Sequence, residues 1–270
     1  MAEYPNMMNL LTGQLHADPA TTDTTKFGLY AVGTEQLYLP GIRYHTDERA
    51  FVYGLVGGDE EVSPGHGAAF GLPYLDVDAG LQAAVAIGDT SVYITLDAGT
   101  ATAFGTADRM VGGYYSNPAG TDAQFRRIIG HGTGTSGSVI RIDLDGPATL
   151  ASDAAAFIEL MQNPWWEMRR TRVGLYCGYT SFGGVPVTTI PVSSYGWFQT
   201  WGPCWVTPNL PVSDAADRRG VCFRAGGSIG SFEDNTVEEG NQIAGFVIDS
   251  TKGTGEGADN PPFVFLQISR

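Results

Sequence analysis

The stretch SSYGWFQTWGPCWV, residues 193–206, holds three of the five tryptophans of the chain, together with a tyrosine and a phenylalanine. Side chains on a strand alternate between the two faces of the sheet, so large residues gather on one face here and mostly smaller ones on the other. The predicted large-residue face consists of Tyr195, Trp197, Gln199 and Trp201; the opposite face consists of Gly196, Phe198 and Thr200. A strand that faces the inside of a β-barrel needs this combination, so we interpret the stretch as a buried structural strand. Aromatic rings displayed outward as a sugar-binding surface would give the same pattern, and this alternative stays open.

The composition indicates a β-rich protein. The chain has 270 residues, of which 43% are hydrophobic and only 16% charged, against roughly 25% charged in average globular domains. The 37 glycines and 15 prolines indicate many tight turns between short strands. This length suffices for one large or two smaller β domains, each with its own core.

The charge of the chain argues against nucleic acid and anionic lipid as partners. The formal net charge is −14, and Lys26 and Lys252 are the only lysines. Such a surface repels nucleic acid and anionic lipid, because affinity for phosphate comes mainly from clustered Lys and Arg. The stretch MAEYPNMMNLLTGQLHADP lacks the basic region and the apolar run of a signal peptide, and no apolar run in the sequence has transmembrane length. The odd number and the spacing of the three cysteines (Cys177, Cys204 and Cys222) do not indicate a disulfide framework. We therefore expect folding in a reducing cytoplasm, with the cysteines as small buried hydrophobes.

Apolar alternation predicts strands along most of the chain. Val92, Ile94 and Leu96 share one face of a predicted strand, and Ile140, Ile142 and Leu144 share one face of another. Further strand-like runs are FGLYAV (27–32), RAFVYGLVGG (49–58), GGYYSN, AQFRRIIG, VGLYCGY, VPVTTIPV, GVCFRAGG, QIAGFVID and PFVFLQIS, and EEVSPGHGAAFGLP is predicted to be a loop. The fold class is therefore all-β, with β-sandwich or small β-barrel units joined by Gly/Pro-rich loops.

One segment is ambiguous. SDAAAFIELMQNP, residues 152–164, has a helix cap at Ser152 or Asp153 and a stop at Pro164, yet FIELMQ also fits a strand that is buried on both faces. The pattern alone does not decide between helix and strand.

No motif defines a catalytic or metal site. The four histidines (His16, His45, His66 and His131) have no metal-binding spacing, and an order of His66, Asp89 and Ser136 is a coincidence expected in a chain rich in Gly, Ser and Thr. DVDAG (76–80) and DLDG (143–146) resemble fragments of calcium loops but lack the carboxylate at the twelfth position, where Ile87 and Ala154 stand. We expect no enzyme activity, no cofactor and no metal. A hydrolase that uses His131 and Ser136 is retained only as a contrasting hypothesis.

The order of several segments resembles the virion structural proteins of tailed bacteriophages, and in particular the head decoration (cement) proteins of cyanobacterial and marine phages. The segments that carry the resemblance are RAFVYGLVGG, AIGDTSVYITLDAGTATAFGTADRMVGGYYSN, SVIRIDLDGPATLA, FIELMQNPWW and VPVTTIPVSSYGWFQTWGPCWV. They include Gly112-Gly113-Tyr114, Asn163-Pro164-Trp165 and the Tyr195–Gly202 strand, and the resemblance spans roughly residues 49–268. It favours a strand at FIELMQ. The chain departs from the pattern at Trp165-Trp166, at the Arg cluster from Arg169 to Arg172, and at the acidic stretch 232–240.

The resemblance implies a non-enzymatic protein that binds the outside of a capsid and stabilises contacts between major capsid subunits. It implies a virion location, assembly in the host cytoplasm, and a homo-oligomer, with a trimer matching local three-fold positions of the shell. We expect an N-terminal arm with the first strands (1–48), a central β domain (49–172) and a C-terminal β-barrel or sandwich domain (173–270). The residues suggested for capsid contact are Tyr4, Met7, Met8, Leu10, Leu11, Arg169, Arg170 and Arg172. The alternative function is a tail or fibre component that binds host-surface glycan through an aromatic face.

Overall fold

The computed structural model describes residues 28–71, 79–117, 124–154, 156–170, 181–209, 212, 219–232, 242–249 and 262–270. Strands dominate these residues, which confirms the predicted all-β class. The chain divides into two compact units, Met1–Gly71 with Glu167–Arg270 and Leu72–Trp166. We call them the split unit and the inserted unit.

The strands are numbered β1 to β16 in chain order. Those of the split unit are β1 Arg43–Thr46, β2 Arg49–Leu55, β3 Ala68–Phe70, β10 Met168–Arg170, β11 Phe182–Pro186, β12 Tyr195–Trp205, β13 Gly220–Phe223, β14 Ile229–Ser231, β15 Ile243–Asp249 and β16 Phe263–Gln267. Those of the inserted unit are β4 Ala79–Leu81, β5 Ser91–Thr95, β6 Tyr114–Asn117, β7 Gln124–His131, β8 Val139–Leu144 and β9 Phe157–Met161.

The split unit is built on one antiparallel sheet in the order β10-β3-β11-β12-β16-β15-β13-β14, with β2 and then β1 added through β12. Its central strand is β12, which is eleven residues long and pairs with β2 and β11 in its first part and with β16 from Trp201 to Trp205. Val247, Val264 and Leu266 lie in the hydrophobic core on one side of the sheet. The aromatic stretch of the sequence is therefore the strand that joins the two chain segments of this unit.

The inserted unit is a closed six-stranded antiparallel barrel in the order β4-β5-β8-β7-β6-β9. The two predicted apolar faces are confirmed, because Val92, Ile94 and Leu96 and their counterparts Ile140, Ile142 and Leu144 are all buried in its core. Arg141 and Asp143 point away from that core and form an ion pair with a nitrogen–oxygen distance of 2.6 Å. Apolar side chains inside the barrel alternate with charged side chains outside it, and this explains why the apolar residues recur at every second position of the sequence.

The boundaries of the two units differ from the three successive segments expected. β2 lies in the predicted central domain but pairs with β12 from Tyr195↔Leu55 to Trp201↔Ala50, and so belongs with the C-terminal strands. Periodicity identifies a strand but carries no information about which strand it will pair with.

Several local predictions need correction. The segment 152–164 forms no α-helix among its described residues. It contains β9, and a single 3-10 turn, Pro164–Trp166, begins at its last residue. The prediction of a strand at FIELMQ is therefore confirmed. The helix α1 lies at Ala98–Phe104, directly after the predicted strand that contains Val92, Ile94 and Leu96, and was not predicted. Asp97 caps it, since its carboxylate accepts a hydrogen bond from the Thr100 backbone N–H at 2.7 Å.

Two other segments also differ. Residues 28–32 of the predicted strand FGLYAV form no strand and include a turn, and the predicted loop EEVSPGHGAAFGLP (60–73) contains β3. The run VGLYCGY, the N-terminal residues 1–27 and the acidic residues 233–240 lie outside the described part of the chain.

Candidate functional site

The first half of β12 is buried, as predicted. Trp197 is 1% exposed, and its ring lies 5.3 Å from the ring of Tyr53 and 5.5 Å from that of Tyr38, measured between centroids. Tyr195 stacks on Tyr53 at 5.7 Å. Pairs of aromatic rings at these separations stabilise a core beyond the effect of buried area. The residues from Tyr195 to Gln199 therefore have a structural role.

The predicted shared face ends at Gln199. In the pairing with β2, Gln199 opposes Phe51 and Trp201 opposes Ala50, so Thr200 is an additional residue in the strand, a β-bulge. Beyond it, Trp201 contacts Phe265, with ring centroids 5.6 Å apart, rather than the cluster around Trp197. The bulge breaks the alternation on which the prediction depended, and Trp201 is partly exposed.

Beyond the bulge, large side chains cover the solvent-facing side of the sheet. Strand pairing aligns Pro203 with Phe265, Phe265 with Phe246, and Phe246 with Gly220. The N–H of Phe232 donates to the carbonyl of Gly220 at 2.9 Å, which places Phe232 next along the same line. We call Phe232, Phe246, Phe265 and Trp201 the aromatic row.

The aromatic row faces away from the core. Val264 and Leu266, the neighbours of Phe265 along β16, are buried in the core, and alternation puts Phe265 on the other side. Phe246 and Phe265 stack with their ring planes 6° apart, and Phe246 and Phe232 are 40% and 56% exposed. Exposed aromatic side chains on a regular sheet are typical of binding surfaces, where Trp, Tyr and Phe are enriched.

Sequence reasoning did not find the aromatic row. QIAGFVID and PFVFLQIS were identified as strands, but both of their faces are apolar, so alternation does not indicate which face is solvent-exposed. The sequence feature that could have indicated an aromatic face was the pair Phe263 and Phe265, which lie two positions apart and so share one face of a strand.

The arginine cluster proposed for capsid contact is partly used within the split unit. The guanidinium of Arg169 is paired with the carboxylate of Glu167, a buried residue. Arg170 is exposed, whereas Arg172 lies outside the described residues, as do Tyr4, Met7, Met8, Leu10 and Leu11. Of the described arginines of this set, Arg170 is exposed, and Arg169 keeps 44% of its side chain exposed beside its ion pair.

His131 has a structural role in the inserted unit. Its Nε2 accepts a hydrogen bond from the Met110 N–H at 3.2 Å, and its Nδ1 lies 2.8 Å from the carbonyl oxygen of Gly132. Its ring meets that of Phe104 edge-on at 4.9 Å. Ser136 lies in the turn between β7 and β8, as predicted. Both nitrogens of the imidazole therefore face backbone groups, which requires the neutral ring.

The other candidate ligands have local partners. Asp145 accepts a hydrogen bond from the backbone N–H of Arg127, and Asp89 accepts one from that of Ala86. Among the described residues, no group of three or more His, Cys, Asp or Glu side chains is arranged to hold a metal ion. Cys222 is buried, and burial raises the pKa of the Cys204 thiol to about 12; Cys177 lies outside the described residues.

No protein family model, curated protein or solved structure matches this chain. Within the described ranges, the structure contains no helix with the length and apolar character needed to cross a membrane.

The contacts of His131 predict a pH dependence. Burial lowers the pKa of His131 below its usual value of about 6.5. Between the folded and unfolded pKa values the unfolded chain binds more protons, so the stability from this residue is present above about pH 6.5 and is lost as the pH falls below that value. We expect the free energy of unfolding of the inserted unit to decrease over this window. An NMR titration of the His131 ring protons, assigned with His131→Asn, measures the pKa directly. A midpoint at or above 6.5 would contradict the expectation.

Proposed function

We propose that this protein is a non-enzymatic structural protein of a tailed-phage particle, which binds the outside of the capsid and stabilises contacts between major capsid subunits. The observation that carries the proposal is the aromatic row, displayed on the outward face of an antiparallel sheet. The resemblance of the sequence to decoration proteins supplies the identity of the partner.

The geometry of the aromatic row suits contact with another protein. Its rings are spread along a line across neighbouring strands, and a sheet changes shape little on binding, so few side chains need to be ordered at a cost in entropy. Buried aromatic residues at the centre of an interface typically supply most of the binding energy. A shell subunit that covers this line would remove the exposed area of Phe232 and Phe246 from water.

The charge of the protein limits the chemistry of the partner surface. With a formal net charge of −14, the protein is repelled by an acidic partner and favours an apolar patch that is bordered by basic residues. A protein that binds only the assembled shell stabilises that state by mass action. A homotrimer at local three-fold positions would engage several capsid subunits at once. The N-terminal residues and Arg170 are a second set of candidate contacts.

The first test is the copy number of this protein in the phage particle that encodes it, measured by quantitative mass spectrometry relative to the major capsid subunit. A ratio near one, or a simple fraction of it, supports a position on the shell. A handful of copies per particle would move the protein to the tail and contradict the proposal, and so would its absence from particles.

The second test is a variant of the aromatic row. Phe232→Ser combined with Phe246→Ser is expected to weaken binding to shells that lack the protein roughly 30-fold. This corresponds to a loss of about 1 kcal/mol from each ring, the minimum expected if both lie at the centre of the interface. Sedimentation of the protein with purified shells measures the change. The matched control is Phe125→Ser, which removes an exposed ring (63%) from the inserted unit. Equal binding by the double variant and wild type would overturn the role of the aromatic row.

A further inference from the structure

A groove with a volume of about 450 Å³ opens in the split unit beside the end of β12. Its size falls within the range of about 300–1,000 Å³ that is typical of small-molecule sites. Tyr30 and Trp205 line it, and they are 60% and 57% exposed. Since their rings are largely outside the core, they are available to a ligand.

The ring of Trp205 is held in place. It packs on Phe263 with centroids 4.7 Å apart and planes inclined by 41°, and the two residues oppose each other in the β12–β16 pairing. The Nε2 of Gln199 donates to the carbonyls of Trp201 and Pro203, at 3.1 and 2.8 Å, and so fixes the bend of β12 that leads to Trp205. The groove thus has a preorganised aromatic wall.

An acidic and a basic residue that are adjacent in the sequence both line the groove. Glu48 and Arg49 line it and end the tight turn between β1 and β2, in which Thr46 opposes Arg49 and Asp47 has a φ of 52°. The guanidinium carbon of Arg49 lies 5.5 Å from the centre of the Phe51 ring, a cation–π distance that restrains the side chain. The turn therefore brings to the groove lining one residue type that accepts hydrogen bonds and one that donates them.

We propose that this groove binds a neutral oligosaccharide of hexose units. A pyranose ring has an apolar face of C–H groups, which packs on the electron-rich face of an aromatic ring, and a rim of hydroxyls, each both donor and acceptor. Trp205 and Tyr30 supply the stacking surfaces, Glu48 accepts from one hydroxyl, and Arg49 donates to its neighbour. This inference goes beyond the shell-binding role and does not depend on it.

Charge and hydrogen-bond capacity favour this ligand class over two others. The net charge of −14 disfavours an acidic polysaccharide. A proline-rich peptide also stacks on Tyr and Trp, but prolines have no backbone N–H, so such a segment offers mainly carbonyl acceptors and leaves the carboxylate of Glu48 without a donor. A polyol satisfies both Glu48 and Arg49.

The test is calorimetric titration of the full-length protein with three neutral hexasaccharides, of β-1,4-linked glucose, α-1,4-linked glucose and β-1,4-linked mannose. We expect at least one to bind and to shift the tryptophan fluorescence. Trp205→Ala and Tyr30→Ala should each weaken that binding at least tenfold, and Glu48→Gln several-fold. Phe125→Ala, an exposed ring in the inserted unit, should bind like wild type. Thermal melts check that each variant is folded.

Either of two results would contradict binding of an oligosaccharide in the groove. Absence of binding to all three sugars, or undiminished binding by both Trp205→Ala and Tyr30→Ala, would overturn the proposal. Binding of a proline-rich decapeptide without any sugar binding would reassign the groove to a peptide. Shell binding is measured separately with the Phe232 and Phe246 double variant, so failure of one proposal leaves the other standing.

Discussion

Replacing Trp197 by Ala is expected to lower the free energy of unfolding of the split unit by about 3–5 kcal/mol, the usual cost of truncating a buried Trp or Phe. The side chain is 1% exposed and contacts the rings of Tyr38, Tyr44 and Tyr53, which come from the N-terminal segment and from β1 and β2. Its loss would leave a cavity where β12 joins the two chain segments of the unit. Chemical denaturation followed by circular dichroism measures the change.

Trp205→Ala is the matched control, because it removes the same side chain from the exposed end of the same strand. We expect a change of about 1 kcal/mol or less, since most of the ring is already in water. If both variants lost the same stability, or if Trp197→Ala unfolded like wild type, the division of β12 into a buried and an outward half would be wrong.

Gly202→Ala is expected to have the second largest effect, a loss of at least about 2 kcal/mol. Gly202 has a φ of +89°, a conformation whose cost for other residues is about 1–3 kcal/mol. A Cβ there would also lie 2.5 Å from the carbonyl oxygen of Glu48, which is backbone and cannot rotate away. The substitution therefore strains the bend of β12 and pushes on the β1–β2 turn. Denaturation measures the loss, and the groove that Glu48 lines is expected to change with it.

Gly58→Ala separates the cost of the positive φ from the cost of the contact between the added Cβ and the backbone. Gly58 has a similar φ of +76°, but its added Cβ would meet only the flexible side chain of Arg169, at 3.4 Å. Its destabilisation reports the conformational strain alone, and the excess at Gly202 reports the backbone contact. Equal losses at both positions would show that the contact with Glu48 is relieved at no cost.

The class of the fold was predictable because the dominant signal is local. Alternation at Val92, Ile94 and Leu96 identifies a strand with one buried face whatever its partner, and the structure confirms it. The helix Ala98–Phe104 was missed because it has seven residues and its capping box ends in Thr100, whereas the common signature has Glu or Gln at that position. Short elements carry too few residues for periodicity to be visible.

The candidate sites were predictable only in part. Residues 193–206 combine the two arrangements considered for them, a buried strand and an outward aromatic surface, since Trp197 is core and Trp205 is exposed. The boundary between the two parts is the bulge at Thr200 with the bend at Gly202. A bulge depends on the partner strand, and β2 lies about 150 residues earlier in the chain. No local pattern contains that information.

The sequence by itself determined the all-β class, the acidic charge and the burial of the alternating apolar faces of β5 and β8, because each follows from composition or from residues close together in the chain. Only the tertiary structure decided which strands pair, that β2 joins the C-terminal sheet, and which of two apolar faces of β15 and β16 is left in water as the aromatic row. Pairing and exposure depend on contacts between distant segments. For this reason the surfaces proposed for the shell and for the oligosaccharide could be located only after the chain had been seen folded.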